Sequence, residues 1–218
     1  MSPEGALVLF SGGQDSSVCL AWALAHYARV ETIGFDYGQR HIVEMQAREV
    51  IRDNLVSRWP QLGPDHRLDI KAFGAIGETA MTSERVIEVT ERGLPSTFVP
   101  GRNLVFLTYA AAVADRRGLS VLVGGMCETD FSGYPDCRPE FIASFRDMLS
   151  FAIPRGPKLL APLQTKSKPQ IAKLAKRLGL QRHDTWSCYR PKISEAGFVP
   201  CNSCDACKLH EFAWQGLK

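Results

Sequence analysis

The segment FSGGQDSS, residues 10–17, constrains the fold more than any other part of the sequence. It follows a continuous apolar run, residues 6–10 (ALVLF), and leads into residues 16–28, whose apolar side chains recur at helical spacing. Such a run is typical of a parallel strand buried on both faces. Glycines at a strand-to-helix turn let the backbone approach an anion, and the helix N-terminus adds free N–H groups. The segment therefore predicts a phosphate-binding loop, although a capped turn without a ligand would have the same local pattern.

Strand and helix patterns alternate along the chain as far as residue 178. Further strands are predicted at residues 30–35, 66–70, 119–123 and 159–161, and further helices at residues 42–56, 104–117, 141–151 and 168–178. Residues 73–97 are rich in Gly, Thr, Ser and Pro and predict a long loop or lid. This alternation predicts an α/β fold with a Rossmann-like parallel sheet, helices on both faces, and ligands bound beyond the carboxyl ends of the strands.

Four of the seven cysteines crowd into the C-terminal part of the chain, and these are Cys188, Cys201, Cys204 and Cys207. Four thiolates at this spacing suit a closed tetrahedral zinc site, Zn²⁺ being held by sulfur alone. A C-x-x-C-x-x-C run also opens ferredoxin-type motifs, so an iron–sulfur cluster remains an alternative. We therefore divide the chain into a nucleotide domain, residues 1–182, and a metal-binding segment, residues 183–218, which packs on the same domain and stabilises it.

Charge and hydropathy exclude several classes of partner. The chain has 26 basic and 23 acidic residues, a net charge of +3 without a long basic run, which argues against nucleic-acid binding. No apolar stretch reaches the roughly eighteen residues needed to span a membrane. The N-terminus lacks the basic region of a signal peptide, so we expect a cytoplasmic protein.

The loop at residues 10–17 is neither a Walker A motif nor a G-x-G-x-x-G dinucleotide motif. It resembles the SGGxDS loop of the PP-loop ATP pyrophosphatases, which have an adenine nucleotide alpha hydrolase-like fold. The resemblance implies that ATP is split between its α- and β-phosphates and that a substrate oxygen is adenylated. The residues implied to grip the pyrophosphate are Phe10, Ser11, Gly12, Gly13, Gln14, Asp15, Ser16 and Ser17. Asp15 is the expected ligand of Mg²⁺.

Four further segments narrow the resemblance. They are FDYGQRH at residues 35–41, PGRN at 100–103, FSGYPDCR at 131–138 and TWSCY at 185–189. With the loop and the cysteines, and in this order over essentially the whole chain, they resemble the QueC family of 7-cyano-7-deazaguanine synthases. The resemblance implies conversion of 7-carboxy-7-deazaguanine to its nitrile with ATP and ammonia, zinc at the four cysteines, and a homodimer.

The resemblance also implies roles on the nucleotide side of the site. The loop at residues 36–41 is expected to lie over the adenine and ribose, with Asp36, Tyr37 and Gly38 as its nucleotide contacts. Gly124 is a further expected contact. A solvated loop with a helix cap is the alternative for residues 36–41. Lys168 is expected to stabilise charge on the leaving pyrophosphate and is, with Asp15 and Arg102, a candidate catalytic residue. A solvated lysine at a helix start is the alternative for Lys168.

On the substrate side, Arg102 and Asn103 are expected to contact phosphate or the substrate carboxylate, or else to cap a helix. Tyr134 is expected to stack on the purine-like ring while Asp136 accepts hydrogen bonds from its amidine edge. Arg138 is expected to pair with the substrate carboxylate. The alternative for this segment is a structural loop with an internal Asp136–Arg138 ion pair.

The domains that a chain of this length can hold indicate the nitrogen donor and bear on the alternative functions. Glutamine-using relatives carry an extra amidase domain, and the strand at residue 6 and the late cysteines leave no room for one, so free ammonia is expected. One rival is a PP-loop enzyme acting on tRNA, which would need a basic face. Another is a QueC-like enzyme that stops at the amide or uses another acceptor. A third is a zinc-ribbon module on an inactive domain.

Overall fold

The computed structural model describes residues 4–39, 42–76, 79, 81, 91, 93–130, 134–188, 192–194 and 197–217. Its strands are β1 (Gly5–Leu9), β2 (Arg29–Asp36), β3 (Leu62–Asp69), β4 (Val121–Val123), β5 (Lys158–Leu160), β6 (Lys192–Ser194) and β7 (Gly197–Val199). Its helices are α1 (Gln14–His26), α2 (Ile42–Val56), α3 (Lys71–Gly74), α4 (Arg102–Arg117), α5 (Pro139–Ala152), α6 (Lys168–Arg177) and α7 (Asp205–Trp214).

Strands β1 to β5 form one parallel sheet in the order β3-β2-β1-β4-β5. The chain runs outward from β1 through β2 to β3 and then returns to place β4 on the other side of β1. The strand order therefore reverses between β1 and β4, which is where parallel α/β sheets bind ligands. The predicted parallel α/β class is confirmed.

Alternate side chains of β1 enter two separate cores. Ala6 and Val8 pack with α1, α6 and the end of α2, whereas Leu7 packs with α4 and α5. Because the sheet is covered on both faces, its central strand is apolar throughout, as residues 6–10 indicated. The prediction of helices on both faces is confirmed.

Some predicted bounds were wrong, and each has a local reason. Strand β3 begins at Leu62, four residues before the predicted start at residue 66. Its beginning was missed because β3 lies at the sheet edge and its sequence, LGPDHRLD, lacks a continuous apolar run. The beginning of the loop predicted at residues 73–97 is helical, since Phe73 and Gly74 end α3. Residues 77–78, 80, 82–90 and 92 of that loop lie outside the described residues. The hairpin of β6 and β7 and the helix α7 were not predicted at all.

The C-terminal segment attaches to the sheet domain at the turn after β1. Trp186 donates its backbone N–H to the Gly12 carbonyl at 3.2 Å, and Gln14 donates its N–H to the Trp186 carbonyl at 3.0 Å. These two bonds form an isolated parallel bridge between Gly13 and Trp186. Among the described residues, we find no helix with the length and apolar character needed to cross a bilayer.

Candidate active site

A cleft of about 420 Å³ opens at the carboxyl ends of β1 and β2. Of the residues predicted from sequence, it is lined by Phe10, Ser11, Gly13, Gln14, Asp15, Ser16, Tyr37, Arg102, Asn103, Tyr134, Lys168 and Cys188. The structure thus brings together residues from all five quoted segments and from the start of α6. Outside the lining lie Gly12, Ser17, Asp36, Gly38, Gly124, Asp136, Arg138, Cys201, Cys204 and Cys207.

Residues 10–17, here called the phosphate loop, are shaped by their own hydroxyl groups. The Ser11 amide donates to Ser16 Oγ at 3.2 Å, and Ser16 Oγ donates to the Gly13 carbonyl at 3.0 Å. Gly12 has φ +85°, and a Cβ there would lie 3.0 Å from Arg48 Cα, so only glycine fits. Within the described part of the chain, the Asp15 and Ser16 amides donate to no protein acceptor. They are available to an anion at the N-terminus of α1.

Asp15 and Lys168 form an ion pair in the cleft, with 2.6 Å between Lys168 Nζ and Asp15 Oδ2. Burial raises the pKa of the Asp15 carboxyl, and the Lys168 ammonium offsets this only in part. Burial would lower the pKa of Lys168, but the charges of Asp15 and its neighbours outweigh it and raise that pKa. Lys168 is therefore cationic at neutral pH and stands beside the amides that would hold phosphate.

The second oxygen of Asp15 fits a cation. Asp15 Oδ1 is buried and has no hydrogen-bond partner in the described chain. Cys127 and Asp130 lie beside it, and one ligand atom from each of the three residues falls within 4.8 Å of the others. Burial, together with the charges of Asp15 and Asp130, raises the pKa of the Cys127 thiol to about 12. Carboxylate oxygens, which Mg²⁺ prefers, are therefore the donors that this cluster offers.

The other end of the cleft is aromatic and, among the described residues, carries the cationic side chain of Arg102. The Arg102 guanidinium lies 5.8 Å from the centroid of the Tyr134 ring. Burial would lower the pKa of Arg102, but the neighbouring Tyr37, Tyr134 and Asp136 outweigh it and raise that pKa. The Tyr134 hydroxyl shares a 2.7 Å hydrogen bond with Thr97 Oγ1. Phe106, which the sequence analysis missed, also lines this end. A planar ring with an anionic substituent would suit these surfaces.

Three of the predicted site residues, Asn103, Asp136 and Asp36, make structural contacts within the protein. The Asp136 carboxylate accepts a hydrogen bond from the backbone N–H of Asn103 at 2.9 Å, and Asn103 Nδ2 donates to the backbone carbonyl of Asp136 at 3.2 Å. The Asp136 carboxylate thus caps the start of α4. Asp36 accepts the Gly38 amide at 3.0 Å and pairs with Lys71 at 3.1 Å, which shapes the turn after β2. Arg138, a further predicted substrate contact, is exposed at the start of α5.

Sequence reasoning also missed several lining residues, among them Gly125, Asp130, Trp186 and His210. Gly125 was the one most open to prediction, because it follows Gly124 at the end of β4. A Cβ on Gly125 would lie 3.3 Å from the Ser16 amide, so this glycine lets the chain pass close to the phosphate loop. Gly124 instead donates to the Leu160 carbonyl in the sheet.

The four C-terminal cysteines form one cluster. Their sulfur atoms all lie within 4.8 Å of one another, with 3.9 Å between Cys201 and Cys207 and 3.5 Å between Cys204 and Cys207. Sulfur ligands at about 2.3 Å in a tetrahedron around zinc would stand about 3.8 Å apart. The cluster therefore fits a tetrahedral metal ion.

A parallel sheet whose first turn carries SGGxDS, with the Asp–Lys pair beside it, defines an ATP-using enzyme of the PP-loop class. Among solved structures, an NH3-dependent NAD synthetase from Campylobacter jejuni has a similar fold, with a TM-score of 0.50. The match has 15% identity and covers 84% of this chain and 68% of the synthetase. At that identity the likeness shows the fold alone.

The family model "Queuosine biosynthesis protein QueC" matches residues 5–218. A 7-cyano-7-deazaguanine synthase from Caulobacter vibrioides is 55% identical, with 97% of this chain and 93% of that protein covered. A second, from Burkholderia ambifaria, is 52% identical, covering 97% of this chain and 92% of its own length. The chain belongs to the QueC family.

Proposed function

We propose that this chain is a 7-cyano-7-deazaguanine synthase of queuosine biosynthesis, which converts 7-carboxy-7-deazaguanine and ammonia to the nitrile at the expense of ATP. The observation that carries the proposal is the similarity to relatives of that name over nearly the full length of both chains. The cleft supports it, since a phosphate loop at one end and an aromatic, cationic surface at the other suit a nucleotide and a planar acid.

The proposed chemistry has two adenylations at one carbon. The substrate carboxylate first attacks the α-phosphorus of ATP and releases pyrophosphate; ammonia then displaces AMP and leaves the amide. The amide oxygen attacks a second ATP, again releasing pyrophosphate, and loss of AMP and a proton gives the nitrile. Because both adenylations transfer the same group to an oxygen on the same carbon, one site serves both, chiefly by positioning and electrostatics.

The residues of the cleft receive roles in this scheme. The phosphate loop holds the leaving pyrophosphate through its amides, and Lys168 stabilises the charge that develops there. Asp15 Oδ1 would hold Mg²⁺, which neutralises part of the charge on the triphosphate when bound. Arg102 and Tyr134 would orient the deazaguanine acid, the guanidinium facing its carboxylate.

The remaining proposals concern the metal segment and the setting of the enzyme. Cys188, Cys201, Cys204 and Cys207 would hold Zn²⁺, which fixes the fold of residues 183–218 against the nucleotide domain. We also propose that the enzyme works as a homodimer in the cytoplasm and takes its nitrogen from free ammonia. Asn103, which lines the cleft, Asp136, to which it is hydrogen-bonded, and Arg138 remain candidate substrate contacts.

Purified protein incubated with 7-carboxy-7-deazaguanine, Mg-ATP and ammonium tests the function by mass spectrometry. We expect the nitrile together with AMP and pyrophosphate. Accumulation of the amide alone would keep the adenylation and move the chain to the rival that stops at the amide. No turnover by folded, metal-loaded protein would refute the substrate. Metal analysis of the same sample decides between one zinc per chain and an iron–sulfur cluster.

A further inference from the structure

Arg48 is the largest completely buried side chain in the described part of the protein, and it packs against the phosphate loop. Its side chain has 0% exposure. Its Nε donates to the Phe10 carbonyl at 2.6 Å, and its guanidinium carbon lies 5.5 Å from the centroid of the Phe10 ring. A buried charge is costly unless it is paired and fully hydrogen-bonded, so these contacts need an explanation.

Asp65 on β3 fixes the opposite edge of the guanidinium. Arg48 Nη1 donates to Asp65 Oδ2 at 2.6 Å, and Nη2 donates to Oδ1. Burial alone would raise the pKa of Asp65, but the hydrogen bonds and charge of Arg48 outweigh it and hold that pKa low. The two side chains therefore form a bidentate ion pair, which leaves Nε in one orientation, toward the carbonyl of Phe10.

Two glycines make room for this arginine. A Cβ on Gly34 would lie 2.7 Å from Arg48 Nε, and a Cβ on Gly12 would lie 3.0 Å from Arg48 Cα. Helix α2, strand β2 and the phosphate loop thus meet at Arg48 without free space between them. In a close-packed interior, a shift of one of these groups displaces the others.

We propose that Arg48 is a positioning residue for the phosphates of the nucleotide. By holding the Phe10 carbonyl, it fixes the point at which the chain leaves β1, and so the direction of the Asp15 and Ser16 amides. Lysine does not replace it, because a single ammonium on a flexible stem cannot satisfy both Asp65 and the Phe10 carbonyl in this geometry. The inference rests on the proposed use of ATP.

Arg52 provides a matched control. It lies one turn further along α2 and joins the same helix to the same sheet edge. Its Nη1 donates to Thr32 Oγ1 at 2.8 Å and its Nη2 to the Gly63 carbonyl. These hydrogen bonds do not involve the phosphate loop. Arg52→Lys therefore alters an arginine of the same helix, next to the Arg48–Asp65 pair through Thr32, while Arg48 keeps its own hydrogen bonds to Asp65 and to the Phe10 carbonyl.

The test measures nucleotide binding by calorimetry, with Mg²⁺ and α,β-methylene ATP, which cannot be split between those phosphates. We expect Arg48→Lys to bind this analogue about tenfold more weakly or worse, while Arg52→Lys stays within about twofold of the wild type. Both variants should bind AMP, which carries no pyrophosphate, within about twofold of the wild type. If Arg48 had a purely structural role, Arg48→Lys would weaken the binding of the analogue and of AMP to the same extent.

Wild-type affinity for the analogue in Arg48→Lys, or an equal loss for the analogue and AMP, overturns the inference. If Arg48→Lys does not fold, Asp65→Asn decides, because it loosens one edge of the guanidinium. Selective weakening of the analogue in Asp65→Asn supports the inference, and unchanged binding overturns it. A folded wild-type chain that binds neither nucleotide refutes the proposed function together with this inference.

Discussion

At the scale of single residues, the site depends on one contact between distant parts of the chain. Asp15 and Lys168 are separated by 153 positions in sequence and by 2.6 Å between their charged atoms. Each residue sits at the first turn of a helix, α1 and α6, and both helices pack in the same core. The ammonium compensates a carboxylate whose pKa burial raises, so both groups can remain charged in the cleft.

Replacing Lys168 with methionine should lower the rate of pyrophosphate release by about a hundredfold or more, because one preorganised cation at the leaving group is lost. Steady-state pyrophosphate assays at saturating ATP measure this directly. Lys173→Met, an exposed lysine on the same helix, is the matched control and should keep the wild-type rate. A loss below about threefold in Lys168→Met would mean that Lys168 is only a lysine at a helix start.

At the scale of secondary-structure elements, the buried carboxylate of Glu31 joins strands β2 and β3 and helix α4. Glu31 on β2 has a side chain with 0% exposure and accepts hydrogen bonds from His66 on β3 at 2.6 Å and from Arg117 on α4 at 3.0 Å. Arg29 is its third partner. Burial alone would raise the pKa of Glu31, but these partners lower it from its ordinary 4.5 to about 2.

Glu31→Gln should therefore destabilise the fold by about 2 kcal/mol at pH 7, since it removes the charge that its three cationic or polar partners surround. A carboxyl with a lowered pKa in the folded state stabilises above its unfolded pKa, and this contribution is lost as the pH falls from about 4.5 toward 2. The difference between wild type and variant in urea unfolding should thus shrink as the pH falls from about 5 to 3.

Glu49→Gln is the control for this prediction, because the Glu49 side chain is 46% exposed and pairs with an exposed arginine, Arg67. It should change the free energy of unfolding by less than about 0.5 kcal/mol. Equal destabilisation by the two variants, or a pH-independent difference for Glu31→Gln, would contradict a buried, ionised Glu31.

The helices and strands also show which parts of the fold and the site could be predicted from the sequence. Helix α2 was predicted with its observed bounds, because its apolar residues recur at helical spacing and Pro60 follows. The edge strand β3 was partly missed, since one exposed face and Pro64 remove the apolar pattern of a central strand. The phosphate loop was found from its own residues, but Asp130 and Arg48 join the site through tertiary contacts that no local pattern encodes.

At the scale of the whole molecule, the cysteine cluster and the phosphate loop form one connected structure. Cys207 Sγ donates to the Ser187 carbonyl at 3.4 Å, and the preceding residue, Trp186, makes the backbone bridge to Gly12 and Gln14. Cys188 itself lines the cleft. The metal segment therefore forms part of the wall of the site, in addition to the stabilising role that the sequence analysis expected.

Loss of the metal should consequently weaken nucleotide binding while leaving the nucleotide domain folded. We expect Cys204→Ser, or chelator-treated wild type, to bind α,β-methylene ATP about tenfold more weakly, because Trp186 no longer holds the Gly12 carbonyl and the Gln14 amide in place. Asp205→Asn is the control, since Asp205 follows Cys204 directly, its side chain is 93% exposed, and its replacement should leave binding unchanged. Calorimetry before and after zinc is restored measures the effect, and circular dichroism verifies the fold. Full affinity in a metal-free, folded chain would show that the bridge at Trp186 forms without the metal, and the coupling between the two sites would then be refuted.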